Sequence, residues 1–157
     1  MSVRRTAALG AVLAASLAAC RSPSTVALVP PTPTGATATA CAALVSGLAH
    51  DVAGRSRRSV SPSSPYVAAW GDPPILLRCG VPAHESTSAD SEVDVGGITW
   101  RVRTIGDYVQ WDSVNRATGV EVRVPLVDTS QEGAMSEISD AVRAAIPAGA
   151  TPAASPS

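Results

Sequence analysis

Apolar positions along the chain follow three patterns: a block, a helical period and strict alternation. The block comes first. Thr6 to Leu17 are almost all small and apolar, they follow Met1-Ser2-Val3-Arg4-Arg5, and they end in Leu17-Ala18-Ala19-Cys20. A basic start, an apolar stretch of about a dozen residues and small residues at the exit make an export signal, too short for the ~30 Å hydrocarbon layer. The helical period follows. Cys41, Leu44, Val45, Leu48 and Val52 recur at three and four residues, which predicts a helix burying Cys41, with Thr34 or Thr37 as N-cap and Gly54 as its stop. A second helix is predicted from Met135, Ile138, Val142, Ala145 and Ile146, opened by the capping-box spacing of Thr129 and Glu132 and stopped by Pro147.

Alternation fills the rest. Val26 to Val29 reads as a short edge strand before Pro30-Pro31-Thr32-Pro33, and Arg55 to Pro65 as a loop. Tyr66 to Trp70 and Ile75 to Val81 flank the turn Gly71-Asp72-Pro73-Pro74, and the second of these runs carries Cys79. Between Asp90 and Arg103, Gly96-Gly97 fits the two-residue loop of a hairpin. Pairing Val95 with Ile98 then places Val93, Val95, Ile98, Trp100 and Val102 on one face. The opposite face pairs Glu92 with Arg101 and Asp90 with Arg103, so apolar and charged positions support the same register. Tyr108 to Val114 and Val120 to Val124 supply two more strands, the latter ended by Pro125.

These patterns predict an α+β fold, a mostly antiparallel sheet with two packed helices and one disulfide. The organisation expected is a lipoprotein signal peptide over 1–19, a tether over 20–25, a single domain over 26–146 and a disordered tail over 147–157.

Charge narrows the function. The chain has 12 basic and 13 acidic residues. Removing residues 1–19 takes Arg4 and Arg5 and no acid, which leaves a net charge of about −3 and argues against nucleic acid as a partner.

Three cysteines fit this picture. Leu17-Ala18-Ala19-Cys20 resembles a bacterial lipobox, in which the cysteine is acylated and becomes the mature N-terminus; a plain secretory cut after Ala19 is the alternative. Cys41 and Cys79 then remain in an oxidising compartment, where a disulfide is the economical reading and two buried thiols the other.

No catalytic constellation emerges. His50 and His84 are the two histidines, and His84-Glu85 lacks the second histidine of a zinc helix motif. Glu85, Asp90, Glu92 and Asp94 are spaced as a strand face and not as a calcium loop. No catalytic residue, metal ligand or cofactor is therefore assigned. The candidate partner surface is Arg55, Arg57 and Arg58 with Tyr66, Trp70 and Asp72, since loops carry function more often than framework does. The partners expected are the membrane, through lipid on Cys20 at the outer face of the cytoplasmic membrane, and an envelope protein or wall component. The resulting expectation is a membrane-anchored, non-catalytic envelope module, with a small extracytoplasmic hydrolase or metal-dependent enzyme as the alternative.

Several segments together resemble a known family. They are Pro30-Pro31-Thr32-Pro33-Thr34-Gly35, Cys41-Ala42-Ala43-Leu44, the run from Ser64 to Pro82 that includes Tyr66-Val67-Ala68-Ala69-Trp70-Gly71-Asp72-Pro73-Pro74 and Arg78-Cys79-Gly80, and Val120-Glu121-Val122-Arg123-Val124-Pro125. The chain is similar to exported actinobacterial proteins classed as domain of unknown function 3515. The likeness covers nearly all of the mature chain. It implies a membrane or envelope address and brings no catalytic residues.

Overall fold

In chain order the elements are β1 (Val26–Ala27), α1 (Gly35–Gly47), β2 (Asp51–Val52), β3 (Arg55–Ser56), β4 (Val60–Ser61), β5 (Val67–Trp70), β6 (Ile75–Val81), β7 (Glu92–Val95), β8 (Ile98–Ile105), β9 (Tyr108–Ser113), β10 (Gly119–Pro125) and α2 (Gln131–Ala145). The structure is a computed structural model and describes residues 25–87, 91–127 and 131–149. The signal segment, Cys20 with the tether to residue 24, Asp90, Thr129 and the tail from residue 150 lie outside the described residues.

The alternating segments form one six-stranded antiparallel sheet in the order β5-β6-β10-β9-β8-β7. Gly96 and Gly97 both have positive φ, which a two-residue hairpin turn requires. The expected register follows, with Val95 opposite Ile98, Val93 opposite Trp100 and Glu92 opposite Arg101. Trp70 pairs with Ile75 across the Gly71–Pro74 turn.

Both helices pack on one face. The Cys41–Cys79 disulfide joins α1 to β6, with a Cα separation of 5.4 Å. The core between the layers holds Leu44, Ile75, Leu77, Ile98, Trp100, Val120, Val122, Val124, Met135, Ile138 and Val142. Inside it, Trp100 Nε1 donates to Ser139 Oγ at 2.9 Å, which satisfies two polar groups that are both 0% exposed.

Three expectations change. The first helix stops at Gly47 and not near Gly54; Val52 reaches the core from the small hairpin β2-β3. The cause is Arg57, whose guanidinium donates to Val45 O at 3.0 Å and Leu48 O at 3.4 Å and so occupies carbonyls left open by the helix end. The loop from Arg55 to Pro65 contains β3 and β4, and β4 pairs in parallel with β1. Residues 147–149, at the start of the expected tail, make main-chain contacts: Ala117 N donates to Pro147 O, Gly149 N donates to Asn115 O, and Ala148 bridges Arg116.

Candidate functional site

The residues of the 55–72 region do come together, as a structural clasp. Trp70 is fully buried, donates from Nε1 to Ala49 O at 3.2 Å and lies under the Arg57 guanidinium, 5.5 Å from the ring centroid. Burial without a carboxylate partner lowers the Arg57 pKa from its ordinary value. Arg58 donates to Gly71 O at 2.7 Å and Arg55 to Pro73 O at 3.0 Å, so both tie down the β5-β6 turn. Tyr66 packs half-buried against the core, while Asp72 stays exposed. The three arginines are thus engaged by main-chain carbonyls. His50 is largely exposed beside Asp51, at 3.3 Å.

A different set of residues converges on the sheet face turned away from the helices. Because side chains alternate along a strand, Val120, Val122 and Val124 point to the core and Glu121 and Arg123 point out. The register then aligns rows across neighbouring strands. One row is Arg101 (β8), Asp112 (β9), Glu121 (β10) and Arg78 (β6). The next is Arg103, Gln110 and Arg123, and the third is Ile105, Tyr108 and Pro125.

The two acids hold this face together. Asp112, 1% exposed, takes Nη2 of Arg101 and Nη2 of Arg103, both at 3.2 Å, and the Gln110 amide at 2.9 Å. Glu121, 7% exposed, accepts a bidentate pair from Arg78 at 3.0 and 2.8 Å and lies 3.1 Å from Arg123 Nε. Arg123 Nε also donates to Gln110 Oε1 at 3.0 Å, which links the two acid-centred groups. A buried carboxylate offsets its desolvation only with several charged donors, and each acid here has two guanidinium groups. Arg101 Nη2 also donates to His84 Nε2 at 3.0 Å. Arginine cannot accept, so in this contact the ring nitrogen is the acceptor; His84 Nε2 also lies 4.0 Å from Asp112 Oδ1.

Four guanidinium groups surround two carboxylates, with Glu92 opposite Arg101 on β7 as a third acid at the edge, in a chain whose net charge is −1. The arginine side chains differ in exposure: Arg103 at 48% and Arg123 at 35% face solvent more than Arg78 at 26% and Arg101 at 18%. Beyond them lies Tyr108, whose pKa is raised by partial burial first and by Asp107 and Asp72 next. Asp72 therefore borders this face from the β5-β6 turn.

One further concavity, about 540 Å³, lies between the start of α2 and the sheet, lined by Val93, Val95, Trp111 and Ser136 with Asp94 and Glu132. It gathers no comparable set of convergent charges. Among the described residues, no group of three or more His, Cys, Asp or Glu is placed to hold a metal ion, and no helix is long and apolar enough to cross a membrane.

Sequence reasoning placed Glu92 and Arg101 on a solvated face but missed Arg78, Gln110, Asp112, Glu121 and Arg123 as one group. The signal was present in their every-second-residue spacing; merging them required the strand order. No curated protein and no solved structure matches the chain. A family model described as a protein of unknown function, DUF3515, matches residues 4–151, nearly the whole length, and the chain belongs to that family.

Proposed function

We propose that the protein is a lipid-anchored module of the cell envelope, tethered through Cys20 at the outer face of the cytoplasmic membrane, that works by binding through its open sheet face and not by catalysis. The observation that carries the binding part is the arginine-rich face itself, where two buried acids hold four guanidinium groups and the two most exposed, Arg103 and Arg123, stand beside Ile105 and Tyr108. Arginine and tyrosine are the residue types that concentrate binding energy at interfaces, and fixed side chains lose less entropy when they bind.

Support for the anchor comes from Leu17-Ala18-Ala19-Cys20 and the few residues between Cys20 and β1. A short tether confines the domain near the membrane, and confinement raises the local concentration of any neighbouring partner.

Three measurements test the reading. Replacing Cys20→Ala should release the protein from the membrane fraction or leave an unprocessed precursor; wild type found wholly in the medium would overturn the anchor. A photoreactive residue at position 105 should crosslink to a specific envelope component, whereas one at Glu132, on the helix side, should not. Turnover of an envelope substrate abolished by His84→Ala would overturn the non-catalytic reading.

A further inference from the structure

We infer that the row Arg103, Gln110 and Arg123 is a binding site for a phosphate-type oxyanion, an inference that rests on the open face being the binding surface. Gln110 pairs with Arg103 on one side and Arg123 on the other. The two arginine Cα atoms are therefore two strand spacings apart, about 10 Å, and both side chains are long enough to converge above the amide between them. Among the described residues this row contains no acid. The acids sit one row back, nearly buried, and hold each arginine by one edge: Asp112 takes Arg103 through Nη2, and Glu121 takes Arg123 through Nε.

The remaining donors follow from that anchoring. Arg103 keeps Nε and Nη1, and Arg123 keeps Nη1 and Nη2, without a partner among the described residues. Gln110 cannot swing between them, because its nitrogen donates to Asp112 and its oxygen accepts from Arg123.

Two guanidinium edges, each with two nitrogens not engaged by the described residues, present several charged donors to one anion. A phosphate group offers three or four oxygens and a charge of about −1.5 to −2, which Arg103 and Arg123 can meet together. Each guanidinium is tethered at one edge by a buried acid, which reduces the side-chain ordering that remains when the anion binds. The shared chemistry is the phosphate group, whether free, esterified on a polymer or carried by a lipid headgroup.

The test is a titration of the purified mature chain followed by the arginine Nε–Hε signals in NMR. Inorganic phosphate and glycerol phosphate should shift Arg103 and Arg123 saturably, and acetate at equal ionic strength should bind at least tenfold more weakly. Arg103→Gln and Arg123→Gln should each weaken phosphate binding roughly tenfold, the scale of one lost charge-assisted hydrogen bond. Arg103→Lys should weaken it too, because the charge remains and the planar fork does not. An unchanged backbone spectrum away from the site shows that these variants are folded.

Vesicle flotation separates the sources. Binding to phosphatidylglycerol-containing vesicles but not to phosphatidylcholine vesicles, lost in the Arg103→Gln, Arg123→Gln double variant, assigns the lipid headgroup. Saturable phosphate binding without flotation assigns a non-lipid phosphate. Phosphate that binds no better than acetate, or equally to Arg103→Gln, overturns the inference. If position 105 still crosslinks in cells, the ligand class alone is wrong; if crosslinking fails as well, so does the proposed function.

Discussion

Asp112→Asn is the sharpest single perturbation of the open face. The substitution keeps the side-chain size and removes the charge shared by Arg101 and Arg103, leaving two neighbouring guanidinium groups without their common counter-ion. It also turns one acceptor oxygen into an NH₂ group among donors from Arg101, Arg103 and Gln110. Breaking a buried ion pair by removing one partner costs about 3–5 kcal/mol. Arg103 is 48% exposed, so its share is screened to the surface value of at most about 1 kcal/mol, and the larger part comes from Arg101 at 18%. The expected cost is about 3 kcal/mol, a large share of the ~5–15 kcal/mol that holds a domain of this size together. The thermal midpoint should fall by on the order of 10 °C. Urea unfolding read by tryptophan fluorescence, with the disulfide kept oxidised, measures it. Adding Arg101→Gln to Asp112→Asn should recover part of the loss, because the cation that this acid neutralises goes too. A cost below about 1 kcal/mol, or a double variant whose losses simply add, would refute the claim that this acid holds the face together.

Three further outcomes follow from the same structure. Ser139→Ala strands the Trp100 indole N–H at a site with no exposure and should cost about 1–3 kcal/mol in chemical denaturation, whereas Ser136→Ala, nearer the surface, should cost much less. Reducing Cys41–Cys79 opens a loop with a sequence separation of 38 and should lower stability by about 4 kcal/mol, seen as a lower urea midpoint in reductant. Tyr108 titrates above its ordinary value of about 10, so the folded chain holds that proton more tightly than the unfolded one. Its contribution to stability is complete below about pH 10 and is lost as pH rises through the folded value; Tyr108→Phe should flatten that part of the stability profile.

Local chemistry made much of the fold legible. Gly96-Gly97 and the alternation on either side fix the hairpin register, since a one-residue slip would turn Trp100 into solvent and Arg101 into the core. Cys41 and Cys79 each sit at an inward position of their element, which is why the disulfide joins helix and strand as expected. The end of α1 was not legible, because Val52 continues the helical spacing while the contact that ends the helix comes from Arg57, later in the chain. Arg55, Arg57 and Arg58 look like a solvated cluster in sequence; nothing local says that carbonyls of Pro73, Val45 and Gly71 will meet them. The open face was hidden for a related reason. Gln110 and Asp112 blur the alternation of β9 because their side of the strand is buried by charge pairing and not by apolar packing. Their partners lie on β8 and β10, and Arg78 comes from β6 because that strand also pairs with β10, a non-consecutive arrangement that sequence alone does not order.

The arginine face is proposed as the surface that meets a partner. Crosslinking from position 105 in intact cells, compared between the otherwise wild-type chain and the Arg103→Gln, Arg123→Gln double variant at equal abundance in the membrane fraction, tests it most directly. A discrete crosslinked species is expected in the first and its loss in the second; equal crosslinking in both, or crosslinking from Glu132 on the helix side alone, would refute this role of the face.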